Sequence, residues 1–301
     1  MISASIAFRR LTPEQRERVL TMLRAHPRWT EDFERKMPDE VKTGDAAEQA
    51  EWVFHQASLW ADLAREFRAE DKARFHRPTW HYVDFPQFLT DADRKALDGK
   101  IHENLSTTMP TGPASDLNIA QSMAWARKVA SDPNAAPADR ALMLTWIFHT
   151  VGDSHQPLHS TALFSQHLFP EGCRGGNLVK TTPRRNLHMV WDSLPGEKID
   201  SRTARNRALT LLNQPELRER GEKAAMNLDG VAWLNESHVL TATVVYTDEV
   251  LNELRAAEAA SAKVPTVELS EDYLKTAGAV AEQRVVEAGY RLGAVLAKVV
   301  E

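Results

Sequence analysis

The chain has 301 residues, 43% hydrophobic and 26% charged, with 37 Lys plus Arg against 42 Asp plus Glu for a formal net charge of −5. This is the balance of a folded globular protein and excludes a dominantly disordered one. It also argues against nucleic-acid binding through a broad basic surface, but not against an enzyme that grips phosphates through metal ions. The single Cys173 excludes an internal disulfide scaffold. No run approaches the ~20 apolar residues of a membrane span.

Helical periodicity dominates. A helix is predicted over 11–25, where Thr12 is the N-cap, Pro13 takes the first helical position and Gln15 completes a capping box. Val19, Leu20 and Leu23 then recur at helical spacing. A long helix is predicted over 46–70 from Ala50, Val53, Phe54, Ala57, Trp60, Leu63 and Phe67. Further helices are predicted over 118–131, 137–152, 200–212, 227–260 (broken) and 270–300. Strand signals are scarce; Leu178-Val179-Lys180, after the Gly175-Gly176 turn, is the best candidate for a short hairpin arm. Pro and Gly mark irregular stretches, the longest over 164–186, and a loop of that length is usually functional or disordered. No repeat, low-complexity tract or linker divides the chain. The reading is therefore one all-α domain over 1–301, multi-helical, with long loops and at most a short β-hairpin.

Five of the 11 His lie within residues 149–192. His149 and Asp153 are spaced i, i+4 and share a helical face, Pro157 then ends the helix, and His159 can swing back from the turn. Nitrogen plus carboxylate oxygen is ligand chemistry that zinc prefers. A lone pair of this kind is more often a buried histidine satisfied by its helix neighbour. The second pair, His188 and Asp192, repeats the spacing and shifts the balance towards metal. With His159 these make five donors, more than one zinc takes, which points to a cluster with a bridging carboxylate. Upstream, His81 and Asp84 in Trp80-His81-Tyr82-Val83-Asp84 are expected in an extended or loop segment, and by themselves fit an aromatic core segment with a capping Asp equally well. Asp62 lies on the apolar flank of the long helix and in isolation reads as a surface Asp. His155 and His167 are not expected to be ligands, and His26, His55, His76, His102 and His238 read as surface or core.

Several blocks occur in order along nearly the whole chain: Ala57-Ser58…Trp60-Ala61-Asp62…Arg65, Trp80–Asp84, His149…Gly152-Asp153…His155-Gln156-Pro157-Leu158-His159, Gly175-Gly176-Asn177 and Asn186-Leu187-His188…Trp191-Asp192. Together they resemble the S1/P1-type zinc-dependent single-strand-specific nucleases and 3′-nucleotidases, which are related to zinc phospholipase C. The tail Gln283…Ala288-Gly289-Tyr290-Arg291-Leu292 resembles the last helix of that family. The resemblance implies a mainly helical fold with three zinc ions at the base of a cleft. Asp62, His81 and His149 match ligands of one zinc, Asp153 matches a carboxylate bridging two, and His159, His188 and Asp192 match ligands of another. Arg65 matches an arginine that stabilises phosphate charge. Tyr82 and Asp84 match an aromatic that stacks on the base and an acid that bonds its edge, and Asn186 is expected to contact substrate.

The family's mature chain begins with a Trp whose amino group and carbonyl bind zinc, with Gly-His shortly after; neither is present here. Met1–Ala7 resembles the segment that follows that Gly-His and carries no visible secretory signal. The expectation is an N-terminally short chain that holds two Zn²⁺ rather than three. The implied reaction is hydrolysis of single-stranded DNA or RNA to 5′-nucleotides, with removal of phosphate from 3′-nucleotides. The implied protein is a secreted or periplasmic monomer. The alternatives are a zinc phospholipase C and a non-catalytic zinc-stabilised binding protein.

Overall fold

The structure, a computed structural model, describes residues 1–196 and 200–301. The first half contains α1 (Ile2–Arg10), α2 (Pro13–Leu23), α3 (Asp39–Lys42), α4 (Ala46–Leu63), α5 (Ala69–Phe75), β1 (Phe85–Phe88), α6 (Asp91–Leu97), α7 (Ile119–Ser131) and α8 (Pro137–Asp153). The second contains β2 (Thr161–Phe164), β3 (Lys180–Thr182), α9 (Leu187–Ser193), α10 (Ser201–Leu212), α11 (Pro215–Ala225), α12 (Gly230–Leu240), α13 (Asp248–Ala259), β4 (Thr266–Glu268) and α14 (Glu271–Val299). The architecture is all-α, with two short strand pairs beside the helices. No helix among the described residues is long and apolar enough to cross a membrane.

The helix starts follow their capping chemistry. Thr12 Oγ1 accepts the Gln15 amide at 3.2 Å while Gln15 Oε1 accepts the Thr12 amide at 3.0 Å, the reciprocal capping box. Asp45 caps α4 by accepting from the Glu48 amide at 2.8 Å. The predicted helix over 46–70 is three pieces: α4 stops at Leu63, a 3-10 turn covers Ala64–Glu66, and α5 starts at Ala69. Phe67 carries the break. It is extended, and from there packs edge-on against Trp60 and Phe75, satisfying the apolar pattern without continuing the helix. The predicted break in 227–260 is a π turn over Thr241–Val245.

The main core lies between α4 and α8, with α2, α7 and the end of α14 around them, and is filled by Trp60, Trp80, Trp146, Phe54 and Phe148. α1, which sequence periodicity did not single out, is buried from Ile2 to Phe8 against α14. Gly289 permits that approach, because a Cβ there would run into Ile6 and the Ser3 carbonyl. A second core, around Phe164, Phe169, Trp191, Tyr246 and Leu254, lies beneath the loop and strand layer.

The expected hairpin at Leu178–Lys180 is not formed. β3 begins at Lys180 and pairs in parallel with the distant β4, Lys180 opposite Thr266. β1 and β2 are likewise parallel, Phe85 opposite Thr161. Of the hairpin, one antiparallel bridge remains among the described residues, Lys180 to Asn186. Val179 is instead buried in the second core, and its carbonyl accepts the Leu187 amide at 2.9 Å, tying this segment to the start of α9.

Candidate metal centre

Five chain segments converge on one cleft. The last turn of α4 brings Asp62, and the 3-10 turn Pro78–His81 brings His81. The C-terminal turns of α8 bring His149 and Asp153 on one face, as the i, i+4 spacing requires. The 3-10 turn Pro157–His159 returns His159 to the same place, and α9 presents His188 and Asp192 one turn apart. All seven side chains line a cleft of about 980 Å³, together with Arg65, Tyr82 and Asp84.

The donors fall into two groups. Asp62, His81 and His149 each offer an atom within 4.8 Å of the others, and so do His159, His188 and Asp192. Asp153 stands between them: its Oδ2 lies 3.0 Å from His149 Nε2, 3.2 Å from His81 Nδ1 and 3.7 Å from His159 Nδ1. His149 Nε2 and His81 Nδ1 face each other at 2.8 Å.

The surroundings of the imidazoles fit a metal. His149 Nδ1 lies 2.8 Å from the Ser58 carbonyl oxygen, His159 Nδ1 2.7 Å from that of His81, and His188 Nδ1 2.7 Å from that of Gly175. A carbonyl only accepts, so each Nδ1 carries a proton and Nε2 is the nitrogen left to face a metal, which must displace any proton held there. Backbone anchoring of the non-ligating nitrogen is how metal-bound histidines are oriented. Nitrogen plus carboxylate oxygen is also a donor set that zinc accepts.

The electrostatics agree. Burial disfavours charge on His149, but the Asp153 carboxylate, with Asp62 behind it, outweighs burial and raises the His149 pKa to about 9. Burial alone would raise Asp153, yet His149 and His159 hold it well below the usual carboxylate range. The centre is thus an anionic bridge that collects cationic charge, and a metal competes with protons for it.

A family model described as S1/P1 Nuclease matches residues 1–301. The chain belongs to the S1/P1 nuclease family. It is 30% identical over 167 residues to a protein named Endonuclease 4 from Arabidopsis thaliana, a match covering 52% of this chain and 50% of that protein. The chain thus matches about half the length of this relative.

The other residues singled out from the family pattern divide. Tyr82 is half-buried on the cleft wall. Arg65 pairs with Asp62 at 3.0 Å at the open side of the first group. Asp84 is buried at the same cleft, with Oδ1 lacking a hydrogen-bond partner; burial, reinforced by Glu103, raises its pKa to about 7. Asn186 does not line the cleft. It is the N-cap of α9, accepting the Met189 amide at 2.8 Å, and so holds the helix that carries His188 and Asp192. The asparagine on the cleft wall is Asn177, exposed at the end of the Gly175-Gly176 turn.

Two further residues shape the second group. Gln156 donates from Nε2 to Asp192 Oδ1 at 3.0 Å and accepts the Leu158 amide at 2.6 Å. Gly175, at φ 54°, supplies the carbonyl for His188, and a Cβ there would strike the Leu158 carbonyl oxygen. Among the remaining histidines, His155 is buried away from the cleft, with Nδ1 2.7 Å from the Val151 carbonyl oxygen and Nε2 2.9 Å from Arg291 Nη1. His167 Nε2 lies 3.1 Å from the Ala262 carbonyl oxygen. His55 lies between Ser5 and Ser201, each at 2.6 Å. His76, read from sequence as surface or core, lines the cleft.

Proposed function

We propose that this chain is a zinc-dependent phosphodiester hydrolase that cleaves single-stranded DNA or RNA to 5′-nucleotides, removes phosphate from 3′-nucleotides, and works as one domain over residues 1–301. The observation that carries this reading is the pair of three-donor groups meeting at Asp153 in one cleft. Asp62, His81 and His149 would hold one zinc and His159, His188 and Asp192 the other, with Asp153 between the two groups. When bound, zinc supplies a more acidic water and offsets charge on the phosphoryl oxygens.

The chain's own residues do the rest. Asp153 orients the attacking water between the two groups. Arg65, which pairs with Asp62 at 3.0 Å at the cleft, would offer its guanidinium to the phosphate. Tyr82 offers its ring to a base, and only an unstacked base reaches it, which favours single strands without strict sequence preference. Asp84 meets the base edge; held largely protonated below about pH 7, its carboxyl donates as well as accepts. Asn186 acts as a helix cap rather than a substrate contact. By family resemblance the protein acts outside the cytoplasm, secreted or periplasmic, as a monomer.

A zinc phospholipase C needs an apolar, lipid-accepting cleft. Here the apolar lining is limited to Pro78, Leu158, Met189 and the Tyr82 ring, among carboxylates, imidazoles and two arginines, which disfavours it.

The test is elemental analysis of the purified protein followed by turnover assays on a single-stranded oligonucleotide, its duplex, a 3′-nucleotide and phosphatidylcholine. The expected result is two zincs per chain, with cleavage of the single strand and the 3′-nucleotide only. Turnover of phosphatidylcholine alone overturns the nuclease reading. Bound zinc without any turnover makes the protein a zinc-stabilised binder.

A further inference from the structure

We propose that Arg174 forms a second phosphate subsite in the cleft, which holds a backbone phosphate next to the scissile one and so separates polynucleotides from mononucleotides. The inference rests on the nuclease reading above and names the part of the substrate that the metal centre does not reach.

The cleft holds two permanent cations, Arg65 and Arg174, and no lysine. Arg65 already has a partner in Asp62. Arg174 is exposed and makes no ion pair and no side-chain hydrogen bond among the described residues. A free guanidinium is unusual in a wall that also carries Asp84, Glu103 and Glu171, and it leaves five N–H donors available to an incoming anion.

The backbone shows that this placement is built. Arg174 sits at φ 54°, a left-handed conformation that is strained for a non-glycine residue. It is held there from both sides. Before it, the buried Cys173 Sγ accepts the amides of Leu163 at 3.1 Å and Gly176 at 3.2 Å. After it, the Arg174 carbonyl oxygen accepts the Asn177 backbone amide at 3.1 Å and side-chain amide at 2.9 Å. The loop is thus pinned by four hydrogen bonds while the one long side chain at its tip has none.

Position selects the ligand. Arg174 lines the same cleft as Tyr82 and directly precedes Gly175, whose carbonyl oxygen lies 2.7 Å from His188 Nδ1. A strand whose base stacks on Tyr82 and whose scissile phosphate lies at the metal groups therefore passes Arg174 with its neighbouring phosphate. A 3′-mononucleotide has no such phosphate. At about 980 Å³ the cleft is at the top of the ~300–1,000 Å³ range of small-molecule sites, which suits more than a single nucleotide.

The test compares the zinc-loaded wild type with Arg174→Gln and Arg174→Lys, on a single-stranded oligonucleotide and on a 3′-nucleotide, across a KCl series. Arg174→Gly serves as the folding control, since it removes the charge and suits the left-handed backbone. The expected result for Arg174→Gln and Arg174→Gly is a loss of kcat/KM about tenfold larger on the oligonucleotide than on the 3′-nucleotide. The slope of log(kcat/KM) against log[KCl] on the oligonucleotide should also fall by about 0.7, one single-strand phosphate contact. Arg174→Lys should restore the slope, because a phosphate accepts a point charge. Equal losses on both substrates, an unchanged slope, or failure of lysine to rescue overturns the subsite; the last result would mean that Arg174 reads or stacks on a base. If the wild type cleaves neither substrate, the nuclease reading falls by itself. The subsite is then judged by fluorescence anisotropy of a labelled oligonucleotide, where the same difference in salt slope supports it and identical slopes overturn it.

Discussion

The two donor groups use the same chemistry on different supports. Asp62 and His149 stand on α4 and α8, the helices that enclose the main core, and His81 is wedged against Trp146 with ring centroids 5.3 Å apart. His159, His188 and Asp192 hang from a 3-10 turn and the seven-residue α9, over the smaller core beneath the loops. In the first group helix period and close packing set the geometry. In the second it is set by single polar contacts: the Gly175 carbonyl on His188, the Gln156 amide on Asp192 and the Asn186 cap on α9. A centre of this kind has one stiff half and one half that is only as good as its supporting loop, and Asp153 couples them.

That coupling predicts the largest effect. Asp153→Asn keeps the shape but removes the charge shared by His149, His81 and His159, and losing one partner from a buried charged set is strongly destabilising. Zinc should be lost from both groups, with activity down by about 10³ or more. Elemental analysis and oligonucleotide cleavage check this; two retained zincs would show that Asp153 does not couple the groups. Gly175→Ala separates the halves. The added Cβ strikes the Leu158 carbonyl oxygen at a left-handed position, which displaces the carbonyl that orients His188. One zinc of two should be lost and activity should fall by about 10–100-fold, the usual cost of losing an outer contact to a ligand. Loss of both zincs would break the distinction between a stiff and a loop-dependent half.

The stiff half was also the half whose helices could be read from the sequence. The capping box at Thr12, the helix over 137–152 and the shared face of His149 and Asp153 all follow from residue spacing, and the structure places them accordingly. Asp62 and His81 lie on separate segments, so no spacing joins them; only the ordered family pattern did. The carbonyl supports were illegible in both halves because they are backbone: no side chain at Ser58, His81 or Gly175 announces a carbonyl aimed at an imidazole. Asn177 and Asn186 both sit at loop ends, and the tertiary course of the chain decides which caps a helix and which faces the cleft. The long helix over 46–70 broke for a similar reason, since Phe67 reaches the core better from an extended backbone than from a continued helix. The parallel pairing of β3 with β4 joins strands too far apart in the chain for turn chemistry to signal it.

Asp84 gives the smallest effect and the sharpest contrast with Asp153. Both are carboxyls of one cleft, but Asp153 is partly buried, surrounded by imidazoles and held low, whereas Asp84 is buried, faces Glu103, has an oxygen without a partner and is raised to about 7. The unfolded chain releases the Asp84 proton near its ordinary value of 3.8, while the folded chain keeps it until about 7. Between those values the unfolded state binds fewer protons, so this group lowers stability as pH rises, and the loss is complete above about pH 7. Asp84→Asn removes the titration. The variant should melt a few degrees higher than wild type at pH 8, equivalent to about 2 kcal/mol, and show a much smaller difference at pH 4. Its KM for a 3′-nucleotide should rise, because the side chain kept at that cost is the one proposed to meet the base. A gain that is equal at both pH values would mean that Asn packs better, not that a carboxyl titrates. Asp84 would then no longer contrast with Asp153, and the two carboxyls would differ only in their contacts.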